Sequence, residues 1–206
     1  MIDSPVVVLG PLRSGCSLIA GVCHRLGWSA GMSLFPPQPP TWRLDWQDQE
    51  LSMLLVEGRR PTREWFVEYL ERRRRYAEEV GMGGRYVLNC QWLVFVWDEL
   101  LAALAPVKPF ILRTYRAPET VAASMAAHPA LKQKDQEAIQ ALLYRRITPD
   151  AEIGYEYATD DPGRFVRGLA KHLDVDDDAS IQAAIGLVGR PTRYAPQTPE
   201  LAADRP

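Results

Sequence analysis

Residues 6–27 read VVVLGPLRSGCSLIAGVCHRLG, and this stretch decides the fold. A short β-branched run, Val6, Val7, Val8 and then Leu9, reads as a strand that breaks at Gly10. The loop Pro11, Leu12, Arg13, Ser14, Gly15 follows. A helical pattern then begins, with Leu18, Ile19, Val22, Cys23 and Leu26 on one face and Gly27 as its C-cap. Strand, glycine-bearing loop and helix N-terminus make the geometry of a phosphate cradle. Backbone N–H groups point at the anion, and the helix dipole favours its charge. The plain alternative is an ordinary tight turn between a strand and a helix.

From Gly10 to Ser17 the spacing is G-x-x-x-x-G-C-S, a Walker A loop in every position but one. Cys16 stands where the lysine belongs. In a P-loop nucleotide-hydrolysing enzyme that lysine reaches the β- and γ-phosphates, which a neutral thiol cannot do. The loop's cation is Arg13, three residues earlier. The loop therefore suits an anion, but not a nucleoside triphosphate.

Outside this stretch, length and composition set broad limits. The 206 residues suit one domain over 1–190, followed by a proline-rich tail over 191–206 that reads as extended or disordered. A net charge of −2 and a pI of about 6.0 give no global pull toward nucleic acid or a membrane surface. Three cysteines without a C-x-x-C argue against a disulfide framework or a zinc site. Cys16, Cys23 and Cys90 read as reduced thiols of a cytoplasmic protein, and no metal site is expected. There is no apolar run of the ~20 residues a membrane span needs, and the early strand leaves no room for a signal peptide.

The rest of the chain alternates between strand and helix patterns. Pro36, Pro37, Pro39 and Pro40 predict a loop over 28–44. Helices are expected over 45–57 and over 62–80, the latter capped by Thr62. A strand at Tyr86–Cys90 precedes a helix to Leu104, and Phe110–Tyr115 is a further strand. Helices are expected from Pro118, over Lys134–Arg145, from Asp161-Pro162 to Leu173 and over Ala179–Val188, with a last strand at Ile153–Tyr157. This pattern predicts an α/β fold: a P-loop-like three-layer sandwich with a central parallel sheet of four or five strands, Val6–Leu9 in the middle, and helices on both faces.

A second segment supports the first. Residues 110–125 read FILRTYRAPETVAASM. Arg116 falls at a strand end and Ser124 on the second turn of the next helix, where both can contact one phosphate. Together the two segments resemble the sulfotransferase family. Its P-loop-like motif has the form G-x-x-[RK]-S-G-[TS]-[TS], matched by Gly10, Arg13, Ser14, Gly15 and Ser17, with Cys16 in place of the usual threonine. Its second motif, R-x-P-x-x-x-x-x-S, is matched by Arg116, Pro118 and Ser124. A weaker likeness is Tyr155-Glu156 followed by Asp161-Pro162. The resemblance spans roughly residues 5–175 and is closest to compact bacterial sulfotransferase-like proteins.

The resemblance implies transfer of a sulfuryl group from 3′-phosphoadenosine-5′-phosphosulfate to a hydroxyl or amine. Gly10, Ser14, Gly15, Cys16 and Ser17 would hold the 5′-phosphosulfate, and Arg116 and Ser124 the 3′-phosphate. Arg190 and Arg193 would add C-terminal cations. Arg13 would stabilise charge developing on the leaving phosphate in a loose transition state, a reaction that needs no Mg²⁺. The acceptor could be a small molecule, a saccharide or a peptide. Neither nucleic acid nor membrane is an expected partner.

Two family features are missing. Compact relatives carry G-Y-[WF]-E, whose glutamate serves as base, whereas this chain reads Leu44, Asp45, Trp46, Gln47, Asp48. Gln47 falls at the base position and cannot accept a proton, so Asp45 and Asp48 become the candidate bases. The family's K-D-P-R element is replaced by Leu88, Asn89, Cys90 and Gln91. Two other readings follow: a homologue that binds the nucleotide without turnover, and a P-loop nucleotide kinase, which Cys16 and Arg13 disfavour. The basic run Arg72–Arg75 reads as a solvated helix face paired with nearby glutamates. His24, His128 and His172 share no motif, and Trp42 or Trp46 could flank an acceptor pocket.

Overall fold

Strand β1 (Val6–Leu9) is buried along its whole length and separates two apolar cores. Val6 and Val8 point into one cluster, Val7 and Leu9 into the other, as the two-residue period of a strand requires. This explains a run with no polar residue: both faces of the strand are covered. The computed structural model of the chain describes residues 4–31, 34–38, 43–126 and 133–189. Arg190, Arg193 and the tail expected over 191–206 lie outside them, as do Trp42 and His128.

After β1 comes helix α1 (Cys16–Arg25). Strands β2 (Leu34–Gln38) and β3 (Arg43–Asp48) pair antiparallel. This corrects the expectation of a loop over 28–44. Proline is excluded from strands that need its N–H in a ladder, but both strands of a two-stranded ribbon have an open edge. Helix α2 (Gln49–Val56) therefore starts later than residue 45. Helix α3 (Arg63–Glu79) starts where Thr62 predicts, with Thr62 Oγ1 accepting from Trp65 N at 3.3 Å.

Strand β4 (Val87–Asn89) leads through a 3₁₀ turn (Gln91–Val96) into α4 (Trp97–Leu104). Strand β5 (Phe110–Tyr115) and helix α5 (Pro118–Ala126) follow, then α6 (Gln133–Arg146), β6 (Ala151–Gly154) and α7 (Tyr155–Asp160). The strand expected over 153–157 ends at Gly154. Its partner β5 ends at Tyr115, which faces Gly154, so the ladder has nothing further to bond. Helix α8 (Pro162–His172) is capped by Asp161, whose Oδ1 accepts from Arg164 N at 3.0 Å, and α9 (Asp178–Val188) closes the described chain.

The main sheet has the order β4-β1-β5-β6, and every pairing is parallel. Helices α1, α8 and α9 cover one face. Helices α3, α4 and α6 and the 3₁₀ turn cover the other. The chain leaves β1 toward β4 on one side and leaves β5 toward β6 on the other. The carboxyl ends of β1 and β5 thus flank a topological switch point, where open α/β sheets form a crevice for ligands. Among the described residues, no helix is long and apolar enough to cross a membrane.

Candidate functional site

The loop after β1 sits at that switch point, and two glycines make its shape attainable. A Cβ on Gly10 would collide with Thr114 Oγ1 and Ser14 Oγ, so only glycine lets the loop lie this close to β5. Gly15 caps α1 with φ +97°, in the left-handed region, and a Cβ there would strike the Tyr155 ring. Arg13 also takes a positive φ, 66°, despite its Cβ. Such strain costs roughly 1–3 kcal/mol and persists where surroundings impose it. Helix α1 has no side-chain cap and no acid in its first turn. Its first N–H groups and the positive end of its dipole face the loop, with no acid in the helix's own first turn.

Arg13, Arg116 and Ser124 come together here. Arg13 Nε donates to Ser124 Oγ at 2.9 Å across 111 residues of sequence. Arg116 Nη1 donates to the Arg13 carbonyl at 3.3 Å. The Arg116 guanidinium lies 4.2 Å from the centre of the Tyr155 ring, a cation–π contact. Glu156 Oε1 is 3.8 Å from Arg116 Nε and accepts from Ala117 N at 3.2 Å. Arg116 Nε is buried and makes no hydrogen bond among the described residues. A buried cationic donor of this kind suits an anionic ligand. The weak Tyr155-Glu156 likeness thus has a physical role: the start of α7 braces Arg116.

Beneath the loop lies a polar network that the sequence did not reveal. Thr114, buried on β5, sits 2.6 Å from Ser14 Oγ and 3.0 Å from Cys16 Sγ through its hydroxyl. Burial pushes the Cys16 thiol up, against the lowering effect of hydrogen bonds from Ser14, Thr114 and Gln91. Ser14 and Cys16 are buried, and their side chains hold the loop to the sheet through Thr114. Ser17, half-buried on the first turn, is approached by Asn89 Nδ2 at 3.5 Å.

The candidate bases fare differently. Asp48 is 2% exposed and both of its oxygens are engaged: Oδ1 accepts from Leu51 N at 2.8 Å, and Oδ2 pairs with Arg73 Nη1 at 2.7 Å. It is a helix cap and half of a buried ion pair. The same pair corrects the reading of Arg72–Arg75 as wholly solvated. Arg73 is buried and also donates to the carbonyls of Ala30 and Val87 at 2.7 and 2.6 Å. Asp45 lies on β3 opposite Phe35; its side chain is outside those described. Gln47 Nε2 donates to Ser52 Oγ at 2.9 Å. Trp46 packs on α1 at Gly21 and His24, and burial lowers the His24 pKa.

A cavity of about 490 Å³ borders the loop, between α5 and α6. Pro11 and Arg116 lie on its loop side, and Gln133, Gln136 and Gln140 on its α6 side. The helical spacing of these glutamines was readable in the sequence; that α6 packs beside the loop was not. Among the described residues, no three His, Cys, Asp or Glu side chains gather so as to hold a metal ion.

No family model and no curated protein matches the chain. Solved structures do. The sulfotransferase STF1 of Mycobacterium tuberculosis H37Rv superimposes with a TM-score of 0.52 at 15% sequence identity, covering 90% of this chain and 71% of its own. The sulfotransferase STF9 of Mycobacterium avium does so with a TM-score of 0.50 at 15% identity, covering 90% of this chain and 67% of its own. The likeness is one of fold: a parallel sheet flanked by helices, arranged as in these bacterial sulfotransferases.

Proposed function

We propose that the protein is a sulfotransferase that takes its sulfuryl group from 3′-phosphoadenosine-5′-phosphosulfate. The observation that carries this reading is the meeting of Arg13, Arg116 and Ser124 at the uncapped N-terminus of α1. A donor with two separated anionic groups needs two cationic positions. The loop and Arg13 suit the 5′-phosphosulfate; Arg116, whose buried Nε makes no hydrogen bond among the described residues, suits the 3′-phosphate. Transfer breaks the S–O bond to the donor phosphate and forms one to the acceptor oxygen. The leaving phosphate gains charge, which Arg13 and the α1 N–H groups are placed to stabilise.

The fold's likeness to STF1 and STF9 supports a transferase of this class. A nucleotide kinase fits less well, because the Walker lysine position holds a buried thiol bonded to Thr114. The engagement of Asp48 favours a second reading, a homologue that binds the donor without turnover. Asp45 is the carboxylate left as the proposed base of an active enzyme.

Calorimetry with adenosine 3′,5′-bisphosphate, set against ATP with Mg²⁺, tests the reading. Tight binding of the bisphosphate and weak binding of ATP is the expected result, and the reverse refutes it. Transfer of labelled sulfate to a broad acceptor panel then separates the enzyme from the binding-only homologue.

A further inference from the structure

We infer that Thr114 is a positioning residue for the donor's 5′ end: its hydroxyl closes a buried ring with Ser14 and Cys16 that holds the loop's N–H groups in an anion-binding arrangement. The inference rests on the sulfuryl-transfer reading for the identity of the anion, and it adds a side chain that acts from beneath the loop. Thr114 and Ser14 are each 1% exposed and Cys16 is 2% exposed, so the three groups meet away from solvent.

The ring has three sides. Thr114 Oγ1 lies 2.6 Å from Ser14 Oγ and 3.0 Å from Cys16 Sγ, and Ser14 Oγ lies 3.5 Å from Cys16 Sγ. Each group carries one proton and can accept another, so three in a circle satisfy one another. The Leu9 carbonyl, 3.5 Å from Thr114 Oγ1, is the more distant acceptor for the threonine. Two members come from the loop and the third from β5, so the ring ties the loop to the sheet.

The tie falls where the shape of the loop is decided. Arg13 and Gly15 take positive φ, and the residues that alternate with them, Ser14 and Cys16, are the two bonded to Thr114. Left-handed residues in such alternation turn successive backbone N–H groups toward one concave side, a nest for an anion. Arg13 bears a Cβ, so its φ of 66° persists only while its surroundings impose it. Gly10, with no Cβ to intervene, lets the Thr114 and Ser14 hydroxyls meet against the loop backbone. A valine at position 114 would keep the shape of the threonine and leave Ser14 and Cys16 without their shared partner.

The test is calorimetry of the full chain with 5′-AMP and with adenosine 3′,5′-bisphosphate, at a temperature where circular dichroism shows each variant folded. Thr114→Val should weaken both nucleotides about tenfold, because both carry the 5′-phosphate. Thr114→Ser, which keeps the hydroxyl, should bind both within about twofold of the wild type. A valine variant that unfolds at a lower temperature yet binds with wild-type affinity overturns the inference, and so does a loss confined to the bisphosphate. If Thr114→Val does not fold, Cys16→Ala opens the ring at another side and should weaken both nucleotides about threefold; unchanged affinity there overturns the inference. If the wild type binds neither nucleotide, the sulfuryl-transfer reading falls, and inorganic pyrophosphate becomes the probe of the loop. A tenfold difference in its affinity between wild type and Thr114→Val upholds the role of Thr114; equal affinity or no binding overturns it.

Discussion

Two arginine sites in this molecule use the same side chains to opposite ends. Arg73 reaches into the joint between α3 and β4, is 5% exposed, and meets a carboxylate and two carbonyls at 2.6–2.7 Å. Its charge is cancelled within the fold. Arg116 is nearly as buried, with 11% of its side chain exposed, but its contacts are a carbonyl, a tyrosine face and one carboxylate at 3.8 Å. Arg13 beside it bonds to a hydroxyl and takes a left-handed backbone. A guanidinium whose charge is answered inside the protein serves the structure. Arg116, whose nearest carboxylate stands 3.8 Å away and whose Nε makes no hydrogen bond among the described residues, is the one proposed to meet an anion from outside.

The comparison breaks most directly at Arg13. If the protein transfers sulfate, Arg13→Ala should lower turnover by about 10²–10⁴, the range for removing a preorganised charge stabiliser. Binding of adenosine 3′,5′-bisphosphate should fall much less, because that product lacks the sulfuryl group. An equal drop in both would make Arg13 a binding residue only.

Arg73→Met should show the reverse profile. Leaving Asp48 buried without its partner should cost about 3–5 kcal/mol in urea unfolding. The double variant Arg73→Met with Asp48→Leu should recover part of that loss. A stable single variant would mean that the pair contributes little to the fold.

Arg116→Ala should weaken adenosine 3′,5′-bisphosphate by roughly 2–4 kcal/mol, on the scale of losing a charge-assisted, partly buried pair. It should scarcely affect 5′-AMP, which has no 3′-phosphate. Calorimetry that finds the same loss for both nucleotides would assign Arg116 to another task.

The smallest expected effect concerns the thiols under and beside the loop. All three cysteines are buried, and burial raises each pKa, to about 12 for Cys23 and Cys90. At pH 9 an ordinary thiol is largely ionised and reactive. The folded protein should resist iodoacetamide there and react at all three positions once unfolded. Because the folded pKa values are raised, the unfolded chain loses these protons first. Stability is therefore retained below the ordinary thiol range and declines from about pH 9 upward. Rapid labelling of Cys16 in the folded state would place that side chain outside the loop, facing the anion site.

What was legible beforehand follows the range of the interactions. Gly10, Gly15 and Arg13 could be read because a turn between strand and helix is set by neighbouring residues. The caps Thr62 and Asp161 were legible for the same reason, since each bonds to an N–H three positions on. The pairing of Asp48 with Arg73 was not, because 25 residues separate them and nothing local marks either as buried. Thr114 looked like any strand residue until β5 was placed beside the loop.

The sequence by itself determined the strand–loop–helix unit, the alternation that makes a parallel sheet, and the identity of the residues proposed to bind an anion. These depend on backbone dihedrals, helix and strand periods, and charge, all carried by short stretches of chain. Only the tertiary structure decided which polar side chains face outward and which lock the fold. It turned Cys16 and Ser14 inward, used Asp48 to neutralise Arg73, let prolines stand in the open-edged ribbon, and set α6 beside the loop. The physical reason is that a polar group's role depends on which partners come within about 3 Å of it, and those partners arrive from distant parts of the chain.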